Sequence, residues 1–186
     1  LPVRVPGLSF VVDRVIARLP GVRRLSLLTV TLARGAAAGA RRDDSVSVII
    51  PCRNEIGNVE AAVQRIRDEW GRLDVVLANA GINGVWAPIE ESTADEWNQT
   101  MTGNLTDTFL TVKYAIPLLK ERGGSVIITS SIIGTRIFSN AGASAYSSSK
   151  AAQVAFTKMA ALELAKHKIR VNVICPGAIE TAIEDS

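Results

Sequence analysis

The chain has 186 residues, enough for one sizeable core, or for one domain and an arm. Its composition is 47% hydrophobic and 21% charged with few aromatics, as in an ordinary soluble globular protein, and no stretch is long and apolar enough to span a bilayer. The net charge of +3 is uneven: residues 1–45 hold eight arginines against three aspartates, while the rest holds 13 Lys/Arg against 15 Asp/Glu.

The basic character thus belongs to the N-terminal arm. Its arginines are scattered through apolar and Ala/Gly stretches without interleaved aromatics, which argues against a nucleic-acid partner. The most apolar stretch, Leu25 to Ala40, is short and broken by Arg34. Arg4 lies near the start, but no small-residue cleavage site follows, so no secretory signal is read. A cytoplasmic chain with no membrane partner is expected. Cys52 and Cys175 form no C-x-x-C pair and read as inert thiols beside prolines, with no metal site. Asn98-Gln-Thr and Asn104-Leu-Thr match the glycosylation pattern by chance in a chain read this way.

In chain order, Val11 to Leu19 reads as a short helix stopped by Pro20-Gly21, and residues 35–44 read as a linker. Val46 to Ile50 is a β-branched run stopped by Pro51, which predicts a buried strand. A helix is expected from Asn58 to near Gly71, with Val59, Val63 and Ile66 on one face. Asp74 to Ala78 predicts a strand, turned by Asn79-Ala80-Gly81. Thr93 opens a short helix, with Glu96 completing a capping box. A long helix follows from Asn104 to Glu121, apolar at Leu110, Val112, Ala115, Leu118 and Leu119, and ended by Gly123-Gly124. Ser125 to Thr129 is the next strand, residues 132–144 a loop, Tyr146 to His167 a helix, and Ile169 to Ile174 a strand stopped at Pro176-Gly177.

This alternation predicts a parallel sheet covered on both faces. Ligands bind such sheets beyond the carboxyl ends of the strands. Asn79-Ala80-Gly81, Ser130-Ser131 and Pro176-Gly177 all fall at those ends.

Tyr146 and Lys150 are four apart on one helix face. An ammonium beside a phenol favours the phenolate and suits the phenol to acid–base work. Alone, the pair reads equally as two solvated helix residues. Ser131, at the preceding strand end, adds a hydroxyl that could bond a carbonyl or developing alkoxide. Ser130 competes for that role, because strand alternation sends only one of the two into the cleft.

As a set, Asn79-Ala80-Gly81, Asn104, Ser130-Ser131, Tyr146-x-x-x-Lys150 and Arg170-Val171-Asn172 through Pro176-Gly177 resemble the short-chain dehydrogenase/reductase family, over about residues 65–186. The resemblance implies hydride transfer between NAD or NADP and a small alcohol or ketone. It implies Tyr146 as the general acid/base and Lys150 as the group that favours its phenolate and bonds the nicotinamide ribose. Ser131 would orient the substrate oxygen. Asn104 would hold a proton-relaying water; on residue type alone it is a helix N-cap. Asn79, Ala80 and Gly81 would pack along the adenosine side of the cofactor, or simply form a tight turn. Pro176, Gly177, Ile179 and Thr181 would shape the nicotinamide pocket. The helices 104–121 and 146–167 correspond to a subunit interface in the family, which implies a homo-oligomer.

The family's glycine-rich turn, Thr-Gly-x-x-x-Gly-x-Gly, which binds pyrophosphate at a helix N-terminus, does not occur in this sequence. Residues 45–66, Ser-Val-Ser-Val-Ile-Ile-Pro-Cys-Arg-Asn-Glu followed by Gly-Asn-Val-Glu-Ala-Ala-Val, instead resemble the opening strand and helix of a family-two glycosyltransferase, without that family's D-x-D motif downstream. A chimera or fragment is expected, in three parts: an arm over 1–45, a transferase-like unit over 46–66, and a reductase half over 67–186. The unit 46–66 would stand in for the strand and helix before strand 74–78. The last strand and helix of the family would lie beyond Ser186. The expected fold class is α/β: a partial, incomplete, Rossmann-like doubly wound parallel sheet with an irregular N-terminal arm that packs poorly.

Overall fold

The computed structural model describes residues 47–49, 56–137 and 140–177. The expectations for the arm, for Cys52, and for Ile179 and Thr181 lie outside the described residues.

Four strands form one parallel sheet in sequence order: β1 (Ser47–Ile49), β2 (Val75–Ala78), β3 (Gly124–Thr129) and β4 (Ile169–Ile174). The register runs Val48↔Val76↔Val126↔Val171. Between them lie α1 (Ile56–Trp70), then α2 (Ala94–Met101), a π-helical turn (Thr102–Thr106) and α3 (Asp107–Arg122) in one continuous run, and α4 (Ser144–Leu164) with a short 3₁₀ turn (Ala165–His167). Beta-branched residues in short runs give the strands, and leucine- and alanine-rich stretches at helical spacing give the helices.

Each crossover steps one position the same way across the sheet. Right-handed connections therefore place α1, α3 and α4 on one face. The burial pattern agrees. Val76, Ala78, Val126, Ile128, Ile169 and Val171 are buried and join the core, while Val75, Leu77 and Ile127 are only half-buried and Arg170 and Asn172 are exposed. The described residues are thus one leg of the doubly wound architecture, with a single helical layer. Along β4, buried Ile169 and Val171 alternate with exposed Arg170 and Asn172.

The core joins Val59, Val63 and Ile66 of α1 to Val112, Ala115, Leu118 and Leu119 of α3 and Leu164 of α4. Val59, Val63 and Ile66 thus join α1 to the same core as the later helices. At about 25 cal/mol per Å² of apolar surface, burial of this kind dominates the stabilisation. Arg72 grips Asp74 with two hydrogen bonds, at 2.8 and 3.0 Å, just before β2.

Thr93 caps α2 as its sequence predicts. The Glu96 N–H donates to Thr93 Oγ1, and the Thr93 N–H donates back to Glu96 Oε2 at 2.9 Å. The Thr93 N–H, and the Thr93 hydroxyl that donates to the same Oε2 at 2.8 Å, lower the Glu96 carboxyl from its usual value. Gly123 ends α3 at φ +83°, where a Cβ would meet the Lys168 carbonyl.

One boundary differs from the sequence reading. Asn104 is not an N-cap. It lies inside the π-turn that links α2 and α3 without a break, and the Asp107 N–H bonds to Thr102 O across that turn. The helix-weakening pair Thr102-Gly103 tolerates the wider turn.

Candidate active site

The strand ends and the first turns of α4 converge. Lys150 is almost fully buried, and its Nζ donates to Thr129 O at 3.1 Å. It also lies 5.7 Å from the centre of the Tyr146 ring, so the i, i+4 spacing does bring the two side chains together. Burial pushes the Lys150 ammonium down to about 8, with Cys175 opposing the shift.

Asn104 is fully buried and spends its carboxamide on three bonds. Its Oδ1 accepts from the Ile82 N–H at 2.7 Å, and its Nδ2 donates to Ile82 O at 3.0 Å and to Ser149 Oγ at 2.9 Å. Gly81 lies against both Asn104 and Lys150. A Cβ there would sit 2.8 Å from Asn104 Oδ1 and 3.2 Å from Lys150 Nζ. A side chain on residue 81 would fill this space, which explains the glycine after Asn79-Ala80. Asn79 is exposed and Ala80 half-buried.

Ser130 and Ser131 separate. Ser130 Oγ donates to the Lys150 carbonyl at 2.7 Å, tying β3 to α4. Ser131 Oγ accepts from the Ile133 N–H at 3.2 Å, which keeps its hydroxyl proton available to another acceptor. Pro176 O accepts from the Ile132 N–H at 3.1 Å, so Pro176-Gly177 flanks the segment that follows Ser131. Tyr146, Lys150, Ser130, Asn104 and Gly81 are thus joined by contacts, while Pro176 bonds to the segment that follows Ser131.

Sequence reasoning missed Ile82, Ser149 and Gln153. Ser149 Oγ links Asn104 Nδ2 to the Tyr146 carbonyl, to which it donates at 2.7 Å. Gln153 Nε2 donates to Asn104 O at 2.9 Å and to Thr108 Oγ1 at 2.8 Å. The signal was present as spacing: Ser149, Gln153 and Thr157 recur every four residues in α4, and the first two meet Asn104 and Thr108. A polar stripe at helical period on an otherwise apolar helix marks a buried polar seam.

The donor set suits the nicotinamide end of a dinucleotide. Lys150 has three donors and Thr129 O takes one, and Gly81 leaves room beside it. Residues 50–55, between β1 and α1, contain no glycine. Among the described residues no group of three metal-ligating side chains occurs, and no helix is long and apolar enough to cross a membrane.

The chain belongs to the short chain dehydrogenase family, whose sequence profile matches residues 36–186. The match begins at 36 rather than near Arg65, and so includes residues 46–66. The chain is similar to the uncharacterized oxidoreductase YxjF of Bacillus subtilis, at 35% identity over 95% of this chain and 68% of that one. It is also similar to the crystal structure of a 3-ketoacyl-ACP reductase from Sinorhizobium meliloti, at 42% identity and a TM-score of 0.66, over 74% of this chain and 64% of the other. The carveol dehydrogenase of Mycobacterium avium, solved in complex with NAD, aligns at 29% identity with a TM-score of 0.65 over 72% of this chain and 48% of its own. The chain spans between 46% and 72% of the length of the first curated relatives it matches.

Proposed function

We propose that the chain carries the catalytic half of an NAD- or NADP-dependent oxidoreductase acting on a small alcohol or ketone. The observation that carries this reading is Lys150 Nζ beside the Tyr146 ring, in one cluster with Asn104 and Gly81. Family membership and the dehydrogenase and reductase relatives support it.

In the reductive direction Tyr146 gives the proton that arrives on the carbonyl oxygen, and in the oxidative direction it takes the proton from the hydroxyl. Lys150 holds positive charge against the phenol and offers N–H donors to a ribose hydroxyl. Ser131 donates its hydroxyl proton to the substrate oxygen, where charge develops. Asn104 braces the Gly81–Ile82 backbone and the approach to Lys150, where a relaying water would be held. A bound nicotinamide would supply or accept the hydride at the substrate carbon. Asn79, Ala80 and Gly81 would line its adenosine side, and Pro176, Gly177, Ile179 and Thr181 its nicotinamide side.

A homo-oligomer formed through α3 and α4 and a cytoplasmic location belong to the same reading. Phe109, Met159 and Leu162 are exposed on those helices and would be covered in a dimer. We further propose that 46–66 is a substituted unit between the arm and the reductase half over 67–186. A second reading rests on the absence of the Thr-Gly-x-x-x-Gly-x-Gly pattern from this sequence: site residues without a working cofactor grip.

The test is titration of the chain with NADH and NADPH, read by energy transfer from tryptophan, with a nucleotide-sugar as control. Saturable nicotinamide binding, and turnover lost in Tyr146→Phe with the fold intact, is the expected result. No binding of either dinucleotide would select the second reading; unchanged turnover in Tyr146→Phe would overturn the assignment of that residue.

A further inference from the structure

Gln153 is fully buried, yet its carboxamide is only half satisfied. Its Nε2 makes the two bonds to Asn104 O and Thr108 Oγ1, while Oε1 has no partner. Thr108 Oγ1 itself donates to Asn104 O at 2.7 Å, so two side chains, from α3 and α4, meet at one carbonyl. A buried acceptor left unpaired costs free energy. Packing alone would be served as well by methionine, which has a similar volume and no such acceptor.

The bonds that Gln153 does make fall on the π-turn. Such a turn adds a residue to a helical turn and shifts the side chains around the axis relative to a regular α-helix. It therefore decides where Asn104 points. In this structure Asn104 points at Ile82 and Ser149, and it shares contact with Gly81 and Lys150. A buried polar group that is suboptimal for stability, and that braces a π-turn next to a site, is the pattern of local cost kept for geometry.

We propose that Gln153 is a positioning residue: it holds the π-turn through the Asn104 carbonyl and so keeps the Asn104 side chain on the Ile82 backbone beside Lys150. This rests on the reading of Asn104 and Lys150 as site residues. It adds a group that touches neither substrate nor cofactor and acts through Asn104.

The experiment is Gln153→Met in the full chain, with amide hydrogen exchange at Ile82 and thermal unfolding measured beside NADH- and NADPH-dependent turnover. A variant that melts no lower than the parent but exchanges the Ile82 amide about tenfold faster is expected, because the bond to Asn104 Oδ1 is then loosened. Where the parent turns over, kcat should fall about tenfold with KM nearly unchanged, since the lost interaction is not one of substrate binding. Ile82 protection equal to the parent's in a folded Gln153→Met protein would overturn the proposal. If that variant does not fold, Thr108→Val takes its place. It removes the hydroxyl that joins Gln153 to the turn, and again faster exchange at Ile82 supports the proposal while unchanged exchange overturns it. A parent without turnover would count against the proposed function alone, because the Ile82 readout does not depend on activity.

Discussion

Asn104 and Ile82 are 22 residues apart and exchange a reciprocal pair of hydrogen bonds: the Ile82 N–H donates to Asn104 Oδ1 at 2.7 Å, and Asn104 Nδ2 donates to Ile82 O at 3.0 Å. A carboxamide that pairs with both backbone groups of one residue substitutes for a strand neighbour. It fixes the segment after β2 where the sheet can no longer do so.

Asn104→Ala should leave both Ile82 groups unpaired, at a cost of about 1–3 kcal/mol for each buried group that water cannot reach. The expected result is a melting temperature lowered by several degrees and weaker dinucleotide binding. Asn104→Asp should do no better, since it keeps the acceptor, loses both donors and buries a charge.

Gly81→Ala tests the space beside Lys150. The added methyl would lie 2.8 Å from Asn104 Oδ1 and 3.2 Å from Lys150 Nζ, and Asn104 is held in place by three bonds. Overpacking of this kind costs about 1–3 kcal/mol. Denaturant unfolding should show that loss, and dinucleotide titration should show weakened binding.

The two serines at the end of β3 should separate stability from chemistry. Ser130→Ala loses the bond to the Lys150 carbonyl, a net effect of about 1 kcal/mol seen in unfolding. Ser131→Ala loses only the longer bond from the Ile133 N–H, at 3.2 Å, and should cost no more stability than Ser130→Ala, yet lower kcat about a hundredfold or more through the lost donor to the substrate oxygen. The reverse pattern would exchange their roles.

Lys150 gives a pH dependence with a definite sign. Its folded value of about 8 lies below the ordinary 10.5, because burial disfavours the ammonium. Below about pH 8 both folded and unfolded chains carry the proton, and the burial cost is present in full. Between about pH 8 and 10.5 the unfolded chain binds more protons, so this group's contribution makes stability rise with pH. The gain is on the order of 3 kcal/mol across that window. Denaturant unfolding of the parent minus that of Lys150→Met, from pH 7 to 10, should isolate the rise; a flat difference would contradict the assigned shift.

The sequence by itself determined the alternation of strands and helices, because periodicity and stop signals act locally. Val59, Val63 and Ile66 formed the expected buried face, Thr93 and Glu96 the expected cap, and Ile169 to Ile174 the expected strand. The motif set also pointed to the family, and Tyr146 and Lys150 met because helical spacing alone places them on one face.

What the sequence could not decide depends on partners distant along the chain. The roles of Ser130 and Ser131 follow from where the Lys150 carbonyl lies, 20 residues on. Asn104 reads as a cap until Ile82, Ser149 and Gln153 converge on it and hold a π-turn in place of a helix start. Among the described residues, the placing of α1, α3 and α4 on one face follows from a strand order that steps one way across the sheet. A local pattern states which face of an element is apolar, but only the packed chain decides what covers that face and which buried polar groups must satisfy one another.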